Sequence, residues 1–150
     1  MPFAQLGLAA ARRALIVSGT VADNRPLLLI DLEGTTSVAA GPPSHDLGSI
    51  LGELGGDVAA IHVTEGQVDR ALAAVQASPD RRPVIVLRDV DRHPWQQDAA
   101  SAILAADAGG VVVDVGYPGK RRRALNGRIT TFGSGRASLT AAAELLLGAR

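Results

Sequence analysis

The side chains able to do chemistry in this sequence come in small groups, each just after a short apolar run: Asp31, Glu33, Thr35 and Thr36, then His62, Thr64 and Glu65, then Asp89, Asp91 and His93, then Asp114 and Tyr117, and last Ser134 and Arg136. The densest group lies in RDVDRHPWQQ, residues 88 to 97, where carboxylates stand beside an imidazole and the chain's single tryptophan. Carboxylate and imidazole are the groups of general acid–base work, and an indole offers a flat apolar surface. A plainer reading of the same residues is a helix start: Asp91 or His93 as cap, Pro94 as first residue, and Trp95 covering an edge of the core.

These groups share a position because the apolar runs before them read as strands. PLLLIDL (26 to 32), VAAIHV (58 to 63), PVIVLRD (83 to 89), GVVVDVG (110 to 116) and RITTFG (128 to 133) are short and rich in branched residues. Helical spacing fills 45 to 55, 67 to 77, 95 to 107 and 137 to 148, and Gly148 is placed to close the last helix. Residues 1 to 19 read as a further helix running into a short strand. Alternation of this kind predicts a three-layer α/β/α domain around a mainly parallel five-stranded sheet, in which function collects at the carboxyl ends of the strands.

Familiar chemistries fit these ends poorly. A dinucleotide site needs a glycine-rich turn after the first strand, and DLEGTTSVAAGPPS has acidic groups there instead. The turn FGSGRAS leads from strand to helix with Arg136 beside it, so Ser134, Gly135 and Arg136 form a candidate anion site, against a plain turn capped by Ser134 or Ser138. A phosphoacceptor receiver would need a lysine after the fifth strand, but the only lysine is Lys120, in the basic run Lys120 to Arg123 after the fourth. No G-x-S-x-G elbow occurs, and His45, His62 and His93 lie too far apart in sequence for a zinc helix. No metal and no cofactor are expected.

Composition narrows the partners. With 15 basic and 15 acidic residues the net charge is zero, which gives no field to draw the chain to nucleic acid or an anionic membrane. At 47% hydrophobic and 20% charged, the 150 residues suit one soluble domain. Cysteine is absent, which excludes disulfides and thiolate metal sites and leaves the compartment open. Arg12 and Arg13 interrupt the N-terminal apolar stretch, so neither a signal peptide nor a membrane span is expected.

Read as a unit, VIVLRDVDRHPWQQ, GVVVDVGYPG and ITTFGSGRASLTAAAELLLG resemble the C-terminal α/β domain of glycoside hydrolase family 3, in its β-N-acetylhexosaminidase subgroup. The matching positions are Gly116, Tyr117 and Pro118, then Thr131, Phe132 and Gly133, then Leu147 with Gly148; AAARRALIVSG resembles the segment leading into that domain. The resemblance implies a flavodoxin-like strand order 2-1-3-4-5 and an N-terminal (β/α)8 barrel as partner. That barrel would bind the carbohydrate and supply the nucleophilic aspartate and the His/Asp acid–base pair. Neither it nor its Lys-His-Phe-Pro-Gly motif is in this sequence, so the chain alone is expected to be inactive, since retaining hydrolysis needs two groups about 5 Å apart across the bond.

The same resemblance makes Asp89, Asp91, His93, Trp95 and Tyr117 candidates for the substrate rim or the domain interface. Glu65 is a weaker catalytic candidate, because some family members lend a glutamate from this domain; a solvated carboxylate at a helix start explains it as well. The alternative is an independent ligand-binding module using the Gly133 to Arg136 turn.

Overall fold

The computed structural model describes residues 2–33, 46–115 and 127–148. Its elements run α1 (Phe3–Ala14), β1 (Ile16–Gly19), β2 (Leu27–Glu33), α2 (Leu47–Glu53), β3 (Val58–Thr64), α3 (Val68–Ala77), β4 (Arg82–Arg88), α4 (Trp95–Ala106), β5 (Val111–Val115), β6 (Gly127–Thr130) and α5 (Arg136–Leu146). They build one sheet in the order β1-β6-β5-β4-β2-β3, parallel throughout except where β1 pairs antiparallel with β6.

The strands are apolar on both faces because both are covered. In β4, Val84 and Val86 point into a core with Leu47, Ile50 and Leu51 of α2 and Leu139, Ala142 and Leu146 of α5. Ile85 and Leu87 point the other way, onto Ala71 and Val75 of α3 and Ala99, Ala100 and Ile103 of α4. A strand of period two that is buried twice must read as a continuous hydrophobic run, and each such side chain contributes about 1.5–3 kcal/mol.

The sheet has six strands where the sequence predicts five. β1 is short and lies at an edge with all four residues exposed, so it lacks the buried signature of the others. It is the short strand read after the N-terminal helix, and it joins the sheet although it precedes the first strand–helix–strand unit and so falls outside the count of five. At the other end of the chain, the run read as a strand to Gly133 stops at Thr130. Phe132 adopts φ 57°, a left-handed backbone that no strand continues through.

α1 contributes no buried residue and rests on α5. Arg12 donates from Nε and Nη2 to the two carboxylate oxygens of Glu144 at 2.8 and 2.7 Å. Gly7 lies against Ala137, and Leu15 packs onto the core beneath.

Arg82 closes the amino end of the sheet. Its guanidinium donates to three backbone carbonyls, Gly109 at 2.6 Å, Val21 at 2.5 Å and Thr20 at 3.0 Å, and burial lowers its pKa. Arg25 pairs with Asp23 and Asp107 nearby. These contacts hold the β1–β2 and β4–β5 connections together below the strands.

Candidate functional site at the carboxyl end of the sheet

β2 is hydrogen-bonded to β3 on one side and β4 on the other, so the chain reverses its direction of travel across the sheet at this strand. In parallel sheets the crevice above such a reversal is where ligands bind. Here Asp31, at the end of β2, is 6% exposed. His62 of β3 approaches it with Nδ1 at 3.7 Å, and Arg88 of β4 with Nη2 at 3.6 Å. The parallel register explains the meeting, since Asp31 stands opposite His62 on one side and Val86 on the other, with Arg88 one pleat further along the same face.

The loop after β4 is shaped by its backbone. Asp89 takes φ 54°, and its carbonyl accepts from the amides of both Arg92 and His93 at 3.1 Å, which folds residues 89–93 into a tight turn. Its carboxylate reaches Arg92 at 3.5 Å. Asp89 and Asp91 are exposed, His93 and Trp95 half-buried, and Trp95 packs against the core beneath α4.

Pro94, expected as the first helical residue, stands at the cap position itself. The helix opens on Pro94 with no side-chain cap, because the turn at Asp89 carries the chain directly into α4. A residue that the sequence reading missed organises the junction instead. Gln96 is fully buried; its Oε1 accepts from the Arg88 amide at 2.8 Å and its Nε2 donates to the Leu32 carbonyl at 3.2 Å. It therefore joins the carboxyl ends of β2 and β4 where they separate.

On the opposite face, Asp114 of β5 is fully buried and bonded to Arg128 Nη2 of β6 at 3.0 Å. Thr131 donates from its amide to the Asp114 carbonyl and from its hydroxyl to the Gly133 carbonyl at 2.7 Å. These bonds hold the turn that presents Phe132 outward, 38% exposed.

The other candidates are dispersed. Glu65 is exposed in the turn after the edge strand β3. Ser134, Gly135 and Arg136 are exposed at the start of α5, where Gly135 occupies the cap position without a side-chain bond. Arg136 is paired with Glu53 of α2, a contact that competes with any anion at the turn. Gly148 follows the last helix with φ 74°, as its place in the sequence predicts. His45, Tyr117 and the Lys120 to Arg123 run lie outside the described residues.

No protein-family model matches the sequence, and no curated protein matches it either. Solved structures do. A glycoside hydrolase family 3 β-N-acetylglucosaminidase from Paenibacillus sp. str. FPU-7 superposes with TM-score 0.79 at 16% identity, over 96% of this chain and 30% of that one. The fold is that of part of a family 3 glycosidase. A fungal multi-domain β-N-acetylglucosaminidase of the same family, described as having a glucosamine N-acetyltransferase region, superposes with TM-score 0.69 at 14% identity, over 96% of this chain and 17% of that one. The chain thus spans under a third of either protein, and it resembles a region of these family 3 enzymes in fold.

Among the described residues no helix is long and apolar enough to cross a membrane, and no three or more His, Cys, Asp or Glu side chains cluster as metal ligands would.

Proposed function

We propose that this chain is the accessory domain of a glycosidase resembling β-N-acetylhexosaminidase, and that it supports a catalytic barrel and borders its sugar site with the carboxyl end of the sheet. The observation that carries the reading is the superposition over 96% of this chain and only 30% of the Paenibacillus enzyme, which makes the fold a part of a larger glycosidase there. The loop from Asp89 to Trp95 supplies rim contacts, with His93 as a polar contact and Trp95 as an apolar one, and Tyr117 is a further candidate from the sequence. The reaction itself belongs to the barrel, since nucleophile and acid–base group must face each other across one sugar ring.

The test is hydrolysis of an aryl N-acetyl-β-glucosaminide by the chain alone and by the chain joined to a family 3 barrel from the same source. Turnover is expected only from the joined protein. Turnover by the 150 residues alone, lost on changing Glu65, Asp89 or His93, would overturn the proposal.

A further inference from the structure

We draw no further inference here: the strongest candidate, the side-chain group of Asp31, His62 and Arg88 in the crevice at the carboxyl ends of β2, β3 and β4, belongs to the site already described, and nothing in the structure shows what ligand it would take.

Discussion

Replacing Arg82 by methionine tests how the amino end of the sheet is held. The side chain is 2% exposed, and its three bonds differ in burial: the one to the Val21 carbonyl is fully buried, and those to Gly109 and Thr20 partly so. Methionine fills most of the stem's volume and removes the donors. The Val21 carbonyl then loses its Arg82 donor in a dry place, at about 1–3 kcal/mol, and the two partly buried carbonyls, which water can reach, lose about 0.5–1 kcal/mol each. Against this, the variant no longer has to bury a cation, and the lowered pKa of Arg82 shows desolvation as the leading influence on the group. The balance is a loss of about 2–3 kcal/mol, which for a domain of this size lowers the melting temperature by about 4–12 °C. Urea unfolding followed by the fluorescence of Trp95 gives the free energy directly. Arg82→Lys should recover little of it, because one ammonium cannot match a planar fork that serves three carbonyls. A loss below about 0.5 kcal/mol would refute the reasoning, since the desolvation penalty would then cancel the bonds.

Other expectations follow from single contacts. Gln96→Leu takes the side-chain partner from the buried Leu32 carbonyl and the partly buried Arg88 amide, so urea unfolding should show a loss of about 1.5–4 kcal/mol; an unchanged midpoint would mean that the β2–β4 junction needs no bridge. The hydrogen bonds from Arg12 hold the Glu144 pKa below its ordinary value. The sign is that of a carboxylate depressed on folding: its stabilisation is complete above the unfolded value of about 4.3 and is lost as pH falls through the folded one. The protection of α1 amides, relative to their intrinsic exchange rates, should therefore fall below about pH 4, and in Glu144→Gln it should already be reduced at neutral pH. In the chain joined to a family 3 barrel, as the proposed function requires, Glu65→Gln should leave turnover within about tenfold of the parent, whereas an acid–base residue would cost about 100-fold or more.

The sequence made the layered fold legible where burial repeats at short range. Runs such as PVIVL and GVVVDV are apolar at every position because α helices cover both faces, and that pattern needs no knowledge of distant partners. Edges and ends carry less signal. β1 is only half apolar to the eye, and its pairing with β6 joins residues more than a hundred positions apart. Gln96 was readable after all: it stands at i in the stripe whose later positions are Ala99, Ala100 and Ile103, so a polar residue on the buried face had to find partners. Arg82 and Arg128 were not, for each is a cation inside a strand whose acceptors come from other strands or connections. Of the candidate site, the register brought Asp31 and His62 together as the parallel alternation implies, and added Arg88 from within the stretch that drew attention first.

The two ends of the sheet are built to different ends. At the amino end the cation of Arg82 meets backbone carbonyls and Arg25 meets two carboxylates, so polar groups are used up in holding connections. At the carboxyl end, both described non-glycine residues with positive φ occur, Asp89 after β4 and Phe132 after β6. Such conformations cost of order 1–3 kcal/mol each and persist only where neighbouring bonds impose them. Glycine would remove the strain at either position, so stability alone does not account for these side chains. What they have in common is outward presentation, a carboxylate beside Arg92 in one turn and an aromatic ring in the other. The same end carries the Asp31, His62 and Arg88 group in the crevice, so the side chains held outward and the buried carboxylate with its basic partners share one end of the sheet.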